Sequence, residues 1–66
     1  MDKHAWYKLT RNEQDELTER ISFGEIEADE ANEIDHFNLT LSTGRIVNGF
    51  YRWADSDPTD WYMVLS

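Results

Sequence analysis

Carboxylates are the most abundant ionisable side chains in this sequence, and most of them lie in one stretch. Between Glu13 and Asp35 there are ten acidic residues and a single base, Arg20, so this stretch carries a charge of −9. The whole chain of 66 residues has a net charge of −8, which leaves the remainder nearly neutral. Carboxylates at this density can bind cations, attract a basic protein or keep a protein hydrated. Their spacing and their neighbours distinguish among these roles.

The spacing fits no catalytic or metal-binding motif. An EF-hand loop beginning at Asp55 would need glycine at its sixth position and glutamate at its twelfth, where Asp60 and Ser66 stand. His4 and His36 are the only histidines, and neither adjoins a nucleophile in a recognised arrangement. The chain has no cysteine. We therefore expect no enzymatic activity, no metal and no cofactor, and we interpret the loop around Asp55 as a solvated turn.

Two interpretations of the acidic residues remain. In the first, they fill the solvent-facing sides of helices and keep the protein soluble, which is the usual role of such charges. In the second, they imitate the phosphates of DNA and bind the basic groove of a nucleic-acid-binding protein. The second interpretation assigns electrostatic contacts to six residues: Asp15, Glu16, Glu19, Glu27, Glu30 and Glu33.

A helix over about residues 11–21 positions the first of these acids. Thr10 and Glu13 have the spacing of a capping box, in which each side chain bonds the other residue's backbone amide. The apolar stripe consists of little more than Leu17 and Ile21, so most of this helix must face solvent or a partner.

A second helix is predicted to follow, because residues 28–35 contain good helix formers. Gly24 can take the positive φ that ends the first helix. Alternatively, Ser22 and Glu25 form a second capping box that starts the second helix earlier. Both alternatives give two antiparallel helices with acidic outer surfaces.

Beyond Asp35 the apolar period changes to two. Phe37, Leu39 and Leu41 alternate with polar residues, a turn follows at residues 42–44, and residues 45–53 and 61–65 read as two further strands. We predict a single α+β domain over residues 1–66, with an N-terminal helical hairpin and a three-stranded antiparallel β-meander. A two-residue and a three-residue turn would place opposite sets of side chains on the core face.

The second and third strands look apolar on both faces, whereas two short helices cover only one. An exposed aromatic face often marks an interface. The sequence therefore allows a homodimer or docking on a larger subunit through the strand aromatics Tyr51, Trp53 and Tyr62. The alternative is that residues 1–9, with Trp6 and Tyr7, fold over this face.

The composition narrows the class of partner. Hydrophobic residues make up 39% and aromatic residues 14% of the chain, which indicates a folded protein. There is no run of 18 apolar residues, and residues 1–6 lack the apolar core of a signal peptide, so we expect a cytoplasmic protein without membrane contact. The negative net charge repels nucleic acid, so we expect basic proteins as partners and no direct binding of nucleic acid.

In size, acidity and lack of enzymatic motifs, the chain is similar to a class of small phage and mobile-element proteins that block host nucleases. Anti-CRISPR and anti-restriction proteins belong to this class, and the similarity transfers no residues. We expect a non-enzymatic inhibitor that binds the basic surface of a nucleic-acid-binding protein or nuclease by DNA mimicry. The alternative is a small accessory or assembly protein that homodimerises or docks through its aromatic sheet face.

Overall fold

A short helix and an antiparallel sheet form the two layers of this protein. The computed structural model describes residues 5–66. A 3₁₀ helix (Ala5–Lys8) precedes α1 (Arg11–Ser22), and the strands are β1 (Glu27–Asp29), β2 (Ile34–Thr40), β3 (Ile46–Arg52) and β4 (Tyr62–Leu65), with a second 3₁₀ helix (Pro58–Asp60) before β4. The sheet has the order β1-β2-β3-β4, and each neighbouring pair is antiparallel. The predicted α+β class is confirmed.

Helix α1 forms where the sequence predicts it. The Thr10 side chain accepts a hydrogen bond from the Glu13 amide at 3.2 Å, and the Glu13 carboxylate accepts one from the Thr10 amide at 2.9 Å. This capping box satisfies amides that an open helix end would leave unpaired. Within residues 5–66, α1 is the longest helix at 12 residues, and no helix there has the length and hydropathy needed to span a membrane.

The second predicted helix is wrong. Residues 28–35 instead form the end of β1, a four-residue turn and the start of β2, which gives four strands rather than three. The Asp29 carboxylate accepts hydrogen bonds from the backbone and side-chain amides of Asn32, at 3.3 and 2.8 Å, and Glu33 takes a left-handed conformation with φ 54°. Such side-chain bonds favour a turn over a helix. Pairing of Ile34 with Arg52 then overrides the modest helix propensity.

The turn between β2 and β3 has three residues, which decides the core face. The Leu41 amide donates to the Arg45 carbonyl at 2.8 Å, and Gly44 has a φ of 90°. A three-residue loop with a left-handed third residue commonly closes a hairpin with a bulge. As a result, alternate residues of β2, β3 and β4 share one buried face, beginning with Phe37 and Val47.

The core lies between this face of the sheet, α1 and the first 3₁₀ helix. Its nine side chains are each at most 5% exposed: Ala5, Leu9, Leu17, Phe37, Leu39, Leu41, Val47, Trp61 and Met63. The Trp6 ring meets the Trp61 ring edge-on at 6.4 Å. Residues 5–9 therefore pack on the core side and do not cover the opposite face, and the rest of that prediction concerns residues 1–4, outside the described residues.

The opposite face of the sheet, here called the outer face, keeps apolar side chains accessible. Ile46 is 40% and Val64 is 46% exposed, and Phe50 and Tyr62 beside them are half-buried. The Phe50 and Tyr62 rings stack across β3 and β4 at 5.1 Å. Cross-strand aromatic pairs of this kind stabilise a sheet even at its surface.

Gly49 allows a close approach of β3 to the Tyr62 carbonyl, and replacing it should destabilise the fold. A Cβ at Gly49 would collide with the Tyr62 carbonyl oxygen and would lie 3.0 Å from Met63 Cγ and from Phe37 Cζ. We expect Gly49→Ala to lower the free energy of unfolding by about 1–3 kcal/mol, as overpacking does elsewhere. Urea denaturation measures this loss. Asn48→Ala, on the exposed face, is the control and should change stability by about 0.5 kcal/mol or less; equal stability of the two variants would contradict the close approach.

Candidate functional site

Glu16, assigned by the sequence analysis to partner contact, bonds within the chain. Its carboxylate accepts hydrogen bonds from the Ser42 amide at 3.0 Å and from the Ser42 hydroxyl at 2.7 Å. Arg20 lies 3.4 Å away. The Ser42 bonds, with a smaller contribution from Arg20, lower the pKa of Glu16. Glu16 therefore links α1 to the turn between β2 and β3.

Glu13, one turn earlier on α1, also links the helix to the turn between β2 and β3, and it is almost completely buried. Only 3% of it is exposed, and its second carboxylate oxygen accepts from the Thr43 hydroxyl at 2.7 Å and lies 3.3 Å from Arg45 Nε. The backbone amide of Thr10, then Thr43 and Arg45, lower the pKa of Glu13 in spite of its desolvation. Groups within the protein thus bind both oxygens of the Glu13 carboxylate.

The remaining charges of α1 are largely balanced. Arg20 makes two hydrogen bonds of 2.9 Å to the Glu25 carboxylate and one of 2.6 Å to the Thr40 carbonyl. Glu25 and, to a smaller extent, Glu16 raise the pKa of Arg20. Asp15 pairs with Arg11 at 3.3 Å on the exposed surface. Among residues 5–66, Glu19 is the acid of α1 without a recorded hydrogen bond or ion pair from its side chain.

Uncompensated negative charge lies instead at one end of the sheet. The turn between β1 and β2 and the connection between β3 and β4 meet there, since the Trp53 amide donates to the Glu33 carbonyl at 2.8 Å. We call the seven acids of these segments the acidic pole: Asp29, Glu30, Glu33, Asp35, Asp55, Asp57 and Asp60. Arg52 is the base within the same segments, and it forms no ion pair with another described residue.

Hydrogen bonds hold the two segments of the acidic pole in place. Asp35 accepts from Trp53 Nε1 at 2.8 Å, which ties β2 to the residue after β3. Asp57 accepts from the Thr59 amide at 3.0 Å and its hydroxyl at 2.9 Å, which caps the second 3₁₀ helix and lowers the pKa of Asp57. Four acids of the pole make no side-chain hydrogen bond or ion pair within the described part of the chain: Glu30, Glu33, Asp55 and Asp60.

The three aromatic residues assigned to partner contact do not share one face. Tyr51 stacks on Trp61 at 4.4 Å on the core side, and its burial, with a hydrogen bond to Asp35, raises the pKa of the phenol to about 12. Trp53 is 46% exposed beside the acidic pole. Tyr62 lies on the outer face, where the sequence analysis missed its stacking partner Phe50.

Sequence reasoning also missed that Asp55, Asp57 and Asp60 belong with the acids of the β1–β2 turn. The signal was available in the order of strands, because a meander brings every second connection to the same end of the sheet. Recognising β1 as a strand was the step needed. Glu27 lies on β1 opposite His36, two residues before Asp29, and extends the acidic surface along that edge. No group of three potential metal ligands occurs within residues 5–66.

The bonds of Glu13 and Glu16 predict a loss of stability in acid. A carboxyl whose pKa is lower in the folded than in the unfolded state stabilises the fold above its unfolded value, here 4.5, and this contribution disappears as the pH falls through the folded value. Below pH 4.5, we expect the urea concentration at the midpoint of unfolding to decrease as the pH is lowered. In Glu13→Gln and Glu16→Gln this midpoint should already be lower at pH 7, and it should decrease less steeply in acid.

The control for this series is Glu19→Gln on the same helix. It removes an exposed carboxylate, so its stability at pH 7 should stay within about 0.5 kcal/mol of the parent. If Glu13→Gln were as stable as Glu19→Gln at pH 7, the role of the Glu13 bonds would be wrong.

Comparison with known proteins adds no assignment to this site. The chain matches no protein-family model, and it shows no significant similarity to a curated protein sequence or to a solved structure. The acidic pole and the outer face are therefore the two features of the structure that bear on its function.

Proposed function

We propose that this protein is a non-enzymatic inhibitor that binds the basic surface of a nucleic-acid-binding protein or nuclease through the acidic pole. The supporting observation is the segregation of charge. Seven acids and one arginine lie at one end of the sheet, and four of these acids are not engaged by other described side chains. A surface of this kind attracts a groove built to hold phosphates.

Rigidity of the acidic pole favours this role. The Asp29–Asn32 bonds, the Trp53–Asp35 bond and the Asp57 cap fix both segments in the free protein. A surface that is ordered before binding loses less conformational entropy on association than a disordered acidic tail. The pole therefore offers a partner fixed charges at fixed positions, as a phosphate backbone does.

The proposal moves the contact surface away from α1. Glu30 and Glu33 stay in it, Glu27 borders it on β1, and Asp55 and Asp60 are added. Among the acids of α1, Glu16 is held by Ser42, and Asp15 is paired with Arg11. An acid that already has a partner gains less from a basic groove, because its existing bonds must first be broken.

As part of this proposal, the protein acts in the cytoplasm and derives from a phage or a mobile element, the source of the small acidic inhibitors that it resembles. A second candidate function rests on the outer face. An accessory protein would dock on a larger subunit through Ile46, Phe50, Tyr62 and Val64, which are exposed or half-buried. The two candidates differ in salt dependence, because attraction between charges is screened and apolar burial is not.

A pair of charge-matched double variants tests the acidic pole. Glu30→Lys with Asp60→Lys reverses two free acids of the pole, and Asp15→Lys with Glu19→Lys reverses two exposed acids of α1. Both bring the net charge from −8 to −4. We expect the pole variant to lose at least about tenfold in affinity, since each lost or reversed ionic contact contributes on the order of 1 kcal/mol, and the α1 variant to lose much less.

The assay uses the immobilised protein and an extract of the source cells. Proteins that the parent retains in 50 mM salt and that duplex DNA releases are identified, purified and titrated by calorimetry against the three chains. Equal affinity of the two double variants would show that net charge, not the pole, matters. Retention that neither DNA nor 0.5 M salt reverses would favour docking by the outer face.

A further inference from the structure

Strand β4 leaves one edge of the sheet open. On its inner side, Ser66 and Ile46 exchange two backbone hydrogen bonds of 2.9 and 3.0 Å, and the register continues through Val64 with Asn48 and Tyr62 with Phe50. Because hydrogen-bonding directions alternate along an antiparallel strand, the amides and carbonyls of Met63 and Leu65 point away from β3. No hydrogen bond within residues 5–66 reaches these groups.

The other edge of the sheet, formed by β1, is protected against strand addition, unlike the edge formed by β4. Strand β1 has only three residues, and two of them are the acids Glu27 and Asp29. Beyond the first residue of β1, Arg20 donates to the Thr40 carbonyl of β2. Short, charged or covered edges prevent strand addition, whereas β4 has the uncharged and mostly apolar sequence from Tyr62 to Leu65.

A surface groove of about 780 Å³ adjoins β4. It is lined by Met63, Val64 and Leu65 of β4, by Ala5 and Lys8 of the first 3₁₀ helix, and by Glu13, Thr43, Arg45 and Ser66. An extended chain in this position could bond the free backbone groups of the edge, which is how strand addition joins two proteins.

We propose that a second copy of this chain occupies the open edge, with the two β4 strands antiparallel and Val64 on the twofold axis. In this register Met63 of one copy faces Leu65 of the other, so the outward amides and carbonyls form four hydrogen bonds. The two four-stranded sheets become one continuous sheet of eight strands. The contact is self-complementary, as a twofold interface must be.

Charge favours a second copy in this antiparallel orientation. The end of β4 at Tyr62 follows the acidic connection that contains Asp60, and the end at Ser66 lies beside Lys8 and the Arg45–Glu13 ion pair, which line the same groove. Antiparallel pairing sets the acidic end of each copy next to the less acidic end of the other. It also directs the two acidic poles to opposite ends of the dimer, which limits their repulsion.

A single cysteine tests the register directly, because the chain has none of its own. Residues opposite each other in a non-hydrogen-bonded antiparallel pair have Cα atoms about 4.5 Å apart, within the range of about 4.4–6.8 Å that a disulfide spans. We expect Val64→Cys to form a covalent dimer on mild oxidation at micromolar concentration. Ile46→Cys, which is equally exposed on the neighbouring strand, should remain at least about tenfold slower.

Sedimentation of the unmodified chain gives the second measurement. We expect a concentration-dependent shift from 7.8 kDa towards twice that mass. Val64→Lys should abolish the shift, because it places two lysines opposite each other on the axis, and Ile46→Lys should not. Circular dichroism of both variants is the control for folding. A parent chain that stays monomeric at 1 mM, or equal crosslinking of the two cysteine variants, overturns the proposal.

Discussion

The arrangement of helix and sheet depends on the hydrogen bonds and the ion pair of the Glu13 carboxylate. One buried side chain caps α1 through Thr10, bonds the β2–β3 turn through Thr43 and pairs with Arg45. A buried charge is tolerated only where such partners replace the water that it has lost. Because the residue before α1 and the β2–β3 turn supply these partners, α1 has one favoured position over the sheet. Glu16 reinforces that position from the next turn of the helix.

This interaction divides the acids of the chain into two groups. The acids of the first group accept hydrogen bonds from hydroxyls, amides and arginines of the protein itself, and they hold α1 to the turn between β2 and β3. Those of the second group lie at the opposite end of the sheet and have few partners of their own. A net charge of −8 gives no hint of this division, because it counts both groups alike. The proposed binding to a basic protein rests on the second group.

The sequence was a good guide where a local pattern carried the information, and a poor one where distant residues decided. The capping box of Thr10 and Glu13 and the alternation of Phe37, Leu39 and Leu41 predicted α1 and β2 correctly. The stretch around Ala28 and Ala31 looked helical because its propensity is helical. Its conformation is set by the Asp29–Asn32 bonds and by strand pairing, which for Ile34 is with Arg52 of β3, far along the chain. The composition of the acidic pole followed from that pairing and was missed with it.

Trp53 gives this molecule a built-in optical reporter. The chain has three tryptophans, and Trp61 is buried in the core, whereas Trp53 is half exposed with its indole nitrogen bonded to Asp35 in the acidic pole. Indole emission responds to the polarity and charge of its surroundings. A soluble anionic quencher would be repelled by the neighbouring carboxylates, and a neutral one would not. The ratio of the two quenching constants would therefore report the local potential of the pole without any label.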